Sequence, residues 1–104
     1  MTSIYPHYQS PLAMIKEIAV NPETDYEFCG HALEEMENDG FDPLDIRNGL
    51  ARATKATMQT HGTGVVRYLV EGKDTEGRRM AVVIEVEENP PEIFVITVWK
   101  VTKR

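Results

Sequence analysis

The residues of this chain best suited to chemistry are cations set in alternating apolar stretches. They are Arg67, Arg79 and Lys100, with His31 and the ring of Trp99 as further candidates. Cleavage of RNA through its own 2′-hydroxyl needs a base, an acid and cations for the charge that develops on phosphorus, and Lys, Arg, His and Tyr supply all of these without a metal. Lys100 follows Trp99 near the end of the last apolar run, so a cation and a stacking ring meet at one rim. The plainer reading is that Arg and Lys on an open sheet only solvate it. His31, beside Cys29, is either an acid–base group at a positive helix end or an ordinary helix-start histidine. Cys29 lacks a defined base, and the acids between Glu34 and Asp39 lack calcium-loop spacing and read as a solvated helix face. No Cys/His cluster has zinc spacing, so neither a metal nor any other cofactor is expected.

The elements that must position these groups follow from patterning. Residues 1–9 read as an arm. Ser10-Pro11 is a cap followed by proline at the first helical position. Leu12, Ile15, Ile18 and Ala19 then form one stripe, which ends before Asn21-Pro22. The segment from Asp25 to Cys29 leads into a second helix over Gly30–Asp39, with Phe28, Ala32, Leu33 and Met36 toward the core and Gly40 as terminator. Asp42-Pro43 opens a third helix with Ile46, Leu50 and Ala53 on its buried side. After Thr54 the period becomes two, which predicts strands over 55–60, 65–71, 78–87 and 93–101, with turns at 61–64, 72–77 and 89–91. In the last strand simple alternation puts Phe94, Ile96, Val98 and Lys100 on one face and Ile93, Val95, Thr97, Trp99 and Val101 on the other. If Val66, Tyr68 and Val70 face the helices, Arg67 and Leu69 face the side of Arg79, Thr97 and Trp99. The expected fold is α+β: N-terminal helices packed on one face of a four-stranded antiparallel meander, in a single domain spanning 1–104.

The net charge of −6 argues against a polyanionic partner for the molecule as a whole, but it is unevenly spread. Residues 1–50 hold ten acids against two bases, whereas residues 51–104 hold nine bases against seven acids. An acidic helical half therefore joins a mildly basic sheet half, and nucleic acid remains open for one side only. The lone cysteine, the missing apolar run of membrane-spanning length and the absence of a signal-peptide pattern lead to an expected cytoplasmic location, with no membrane partner.

The run His31-Ala32-Leu33-Glu34-Glu35-Met36, followed by a meander ending in Ile96-Thr97-Val98-Trp99, resembles an uncharacterised family of small bacterial domains (DUF4258-like) near the RelE, BrnT and MqsR ribonuclease toxins. The resemblance covers about Tyr26 to Trp99. That family usually has arginine where Glu35 and Asp39 stand. Similarity to the MqsR type extends to the arm and carries its two catalytic lysines onto Lys55 and Lys100, its glutamine near Arg67 and its tyrosine onto Met80, with Tyr68 as a substitute. The resemblance implies a RelE/MqsR-like fold and a metal-independent ribonuclease toxin (an mRNA interferase). In it Lys55 and Lys100 hold phosphate, Arg67 stabilises the transition state, His31 is the acid/base and Trp99 stacks a base; Arg79, Thr97 and Tyr68 complete the RNA-binding surface. Its partners would be mRNA and a cognate antitoxin, in a homodimer or a toxin–antitoxin complex. The alternative is a non-catalytic protein-binding module of the same fold, whose sheet face or edge strand receives a partner segment.

Overall fold

A computed structural model describes residues 8–60 and 64–102. The expected arm lies almost wholly outside them, as does most of the turn placed at 61–64. The elements are α1 (Pro11–Val20), β1 (Asp25–Phe28), α2 (Gly30–Asp39), α3 (Pro43–Ala51), β2 (Lys55–Thr60), β3 (Val66–Lys73), β4 (Arg79–Glu88) and β5 (Pro91–Lys100).

The helix signals in the sequence act as local chemistry requires. Ser10 Oγ accepts from Ala13 N at 3.1 Å, and proline stands in the first turn of α1. At the start of α3, Asp42 and Asp45 accept reciprocally from each other's main-chain N–H, both at 2.9 Å. Gly40 takes φ +76°, the left-handed region that ends α2. Leu33 departs from expectation: it is 48% exposed, and α2 buries only Ala32 and Met36. Met58 is likewise half exposed, on strand β2 at one edge of the sheet.

Among the described residues the sheet has five strands in the order β1-β5-β4-β3-β2, not four. Strands β2 to β5 form the expected antiparallel meander, and β1 adds to the outer side of β5 in parallel, with Tyr26 opposite Ile93 and Phe28 opposite Val95. Four residues of polar–apolar alternation carry little strand signal of their own. Their partner lies 67 positions along the chain, a pairing that no local pattern announces.

The second correction concerns β5. Val83 pairs with Thr97 but Ile84 pairs with Val95, so Ile96 is an extra residue, a β-bulge. The bulge reverses parity along the strand: Ile93, Val95 and Val98 are buried under the helices, while Phe94, Thr97 and Trp99 share the opposite face with Glu85, Val83 and Ala81. Straight alternation had set Val98 with Phe94 and Ile96.

The core lies between the helices and one sheet face. Met14, Ile15, Ile46, Leu50, Met80, Val82, Ile84, Ile93, Val95 and Val98 are fully enclosed there. Tyr68 is only 4% exposed and belongs to this core, which removes it from any RNA-binding surface. Helix α3 sits directly on β3, because a Cβ at Gly72 would overlap the Gly49 carbonyl oxygen, whereas one at Gly49 would meet the Met80 side chain. Backbone cannot yield as a thioether can. Gly72→Ala is therefore expected to cost about 3 kcal/mol or more, and Gly49→Ala about 1–2 kcal/mol, by urea denaturation. Equal costs would mean that α3 can lift from the sheet.

Candidate functional site

Strand β1 covers the outer edge of β5 only as far as Val95. Beyond it the chain turns at Cys29, whose N–H donates to Val95 O at 3.1 Å and whose thiol donates to Ile96 O at 3.0 Å. Helix α2 then runs along the remaining edge of β5. Glu35 Oε1 accepts from Val98 N at 3.0 Å, and Asp39 Oδ2 accepts from Lys100 N at 3.0 Å. Four residues of helix advance about 6 Å and two residues of strand about 6.6 Å, so carboxylates at i and i+4 match main-chain donors at j and j+2. The acids expected to face water thus include two that close a strand edge.

Glu35 is the centre of a wider cluster. The Thr97 hydroxyl donates to its Oε1, and His31 Nε2 lies 3.3 Å from its Oε2. The hydrogen bond from Thr97 holds the Glu35 carboxyl below its ordinary pKa of 4.5; partial burial opposes this, and the Val98 N–H and His31 add to the lowering. The carboxylate is held on one oxygen by the strand and presents the other to an imidazole whose side chain is 66% exposed. Such a dyad can orient an imidazole for proton transfer.

The remaining candidates distribute as follows. Lys55, Arg67, Arg79, Thr97 and Trp99 lie on the sheet face away from the helices, as cross-strand partners of Glu71, Gln59, Lys73, Val83 and Ala81. Lys55, Lys73 and Arg79 gather at the Trp99 end of that face, where Trp99 is 41% exposed. Arg67 is neutralised, its Nε 2.8 Å from Glu85 Oε2. Lys100 pairs with Met80 and so stands on the helix side. It is three strands, about 14 Å, from Lys55 and on the opposite face, so the two lysines do not converge. Of the eight residues singled out from sequence, only His31 and Thr97 join one hydrogen-bonded cluster, and they do so through Glu35.

Sequence reasoning also missed a buried carboxylate in the β3–β4 loop. Asp74 is fully buried; its Oδ1 accepts from Glu76 N and Arg78 N, and its Oδ2 from Arg78 Nε at 2.7 Å. Arg78 continues to Gly40 O at 3.0 Å and Asp45 Oδ2 at 3.2 Å while stacking over Phe41, which ties this loop to the α2–α3 junction. Among the described residues no group of three or more His, Cys, Asp or Glu is placed to hold a metal ion, and no helix is long and apolar enough to cross a membrane.

A protein-family model for a domain of unknown function, DUF4258, matches residues 28–100. The chain belongs to this family. The matched span runs from the end of β1 through α2 and the meander to the last residue of β5, so it contains the whole α2–β5 seam and leaves α1 outside. No curated protein matches the chain.

Because the folded-state pKa of Glu35 is depressed, its contribution to stability is complete above pH 4.5 and is lost as pH falls through the lowered value. Melting temperatures measured from pH 6 downward should fall more steeply for the wild type than for Glu35→Gln. Parallel curves would show that this carboxylate is not linked to folding.

Proposed function

We propose that the protein is the toxin half of a toxin–antitoxin pair, a metal-independent ribonuclease acting on messenger RNA with His31 as its acid–base group. One observation carries this reading: residues 66 positions apart assemble the His31–Glu35–Thr97 cluster on an exposed edge. In this reading His31, oriented by Glu35, takes the 2′-hydroxyl proton as that oxygen attacks phosphorus; the bond from phosphorus to the 5′-oxygen breaks, the leaving oxygen takes a proton from solvent, and a 2′,3′-cyclic phosphate is left. Thr97 is a positioning residue, bonded to Glu35 and lying by register on the open face. Two residues along that strand, Trp99 offers a ring for base stacking, and Arg79, Lys73 and Lys55 offer charge for the RNA backbone. Lys100, on the other side of the sheet, drops out of the phosphate site. The cognate antitoxin belongs to this reading as the expected partner, and the cytoplasm as its setting.

A second reading, a non-catalytic protein-binding module, is favoured by the charge around the cluster. Arg67 is neutralised, and Glu27 and Glu85 both line the shallow pocket beside Cys29, where a phosphate would meet negative charge.

The two readings separate in one assay on a long mRNA in excess EDTA. The toxin reading expects cleavage by wild type, a loss of at least about a hundredfold in His31→Gln at unchanged melting temperature, and activity within a few-fold of wild type in Lys100→Ala. No cleavage by wild type would leave the binding module in its place.

A further inference from the structure

A second feature, on the far side of β1 from β5, is a groove with its own chemistry. Among the described residues β1 is an outermost strand of the sheet. Since Cys29 N–H points to β5, strand alternation turns the main-chain N–H and C=O of Tyr26 and Phe28 outward, away from β5. Their side chains fall on the helix side of the sheet, opposite buried Ile93 and Val95. The two rings lie 6.5 Å apart with planes 20° from parallel, and together with Pro43, Leu44 and Arg47 of α3 they line a pocket of about 210 Å³. Leu44 is 62% exposed, an apolar side chain at the rim.

Arg47 distinguishes this groove from a bare apolar patch. Its guanidinium carbon sits 5.8 Å from the centre of the Tyr26 ring. The Tyr26 hydroxyl is already committed to Ala19 O, at 2.9 Å. Arg67 and Arg78 are each paired with carboxylates, but among the described residues no carboxylate pairs with Arg47, although it stands in the half of the chain that holds ten acids against two bases. A half-buried guanidinium left unpaired over an aromatic wall is suited to an incoming carboxylate with apolar substance attached.

We infer that this groove binds the free C-terminus of a partner polypeptide, which adds to the outer edge of β1 as an extra strand, places its last apolar side chain between Tyr26, Phe28 and Leu44, and sets its terminal carboxylate on Arg47. A strand edge next to a helix supplies main-chain bonding for affinity and a pocket for alternate side chains. A pocket of about 210 Å³ takes one large side chain, not a drug-sized ligand of roughly 300 Å³ or more. The residue before the last would point to the other face, alongside Asp25 and Glu27, and a basic side chain suits it there. The expected ligand therefore ends basic-apolar with a free carboxylate. The inference concerns a surface apart from the His31 cluster and does not depend on the ribonuclease reading.

The experiment uses the full chain and a fluorescein-labelled peptide ending Ala-Leu-Lys-Leu with a free carboxylate, followed by anisotropy. The same peptide as its C-terminal amide, and one ending Ala-Leu-Glu-Leu, are the controls. The free acid should bind, and the amide, the Glu peptide and the protein variant Arg47→Gln should each weaken binding at least tenfold. Leu44→Asp, an exposed change that leaves the core alone, should weaken it as well, and NMR shifts on titration should centre on Tyr26, Phe28, Leu44 and Arg47. Acid and amide binding equally well would overturn the carboxylate assignment. Shifts elsewhere, or no binding at millimolar peptide, would overturn the site.

Discussion

The structure depends on how the outer edge of β5 is closed. A strand edge offers main-chain donors that must find acceptors or invite another strand. Here β1 serves the first half of that edge and the carboxylates of Glu35 and Asp39 serve the second, so a helix takes the place of a strand beyond Val95. The match between helical and strand spacing lets two side chains one turn apart do this. It also fixes α2 in register with β5, which brings Glu35, one helical turn from His31, to Thr97.

The same interaction suits acids and not the arginines that the resemblance leads one to expect at positions 35 and 39. Arginines at positions 35 and 39 could not accept a main-chain N–H, since a guanidinium has donors only. With Glu35 and Asp39 there, this helix face fastens the helix to the sheet. The second oxygen of Glu35 is left to the imidazole of His31. The bulge at Ile96 contributes too, because it keeps Thr97 and Trp99 on the open face while Val98 returns to the core.

The sheet face away from the helices is divided along the strands. Asp25, Glu27, Glu85, Glu87 and Glu92 belong to one end, while Lys55, Lys73 and Arg79, with Glu71 among them, belong to the end that carries Trp99. A net charge of −6 thus coexists with a local cationic band. Any polyanion on this face would be directed to the Trp99 end, within a few residues of Thr97 but away from Glu27 and Glu85.

By itself the sequence determined what depends on neighbours along the chain. Ser10-Pro11 and Asp42-Pro43 start helices because their side chains accept from N–H groups three residues on, and Gly40 ends one because it tolerates positive φ. Period-two alternation between Lys55 and Val101 located the meander. Tertiary structure decided what depends on partners distant in sequence. It recruited β1 through a parallel pairing, shifted β5 by one residue, set Lys55 and Lys100 on opposite faces and joined His31 to Thr97. A one-residue bulge leaves no mark in composition, yet it reverses the face of every residue beyond it. An acid on a helix reads as solvated until an unpaired strand edge is seen beside it. His31 and Thr97 were therefore legible as candidates in the sequence, whereas Glu35, which joins them, became visible only in how the edge of β5 is covered.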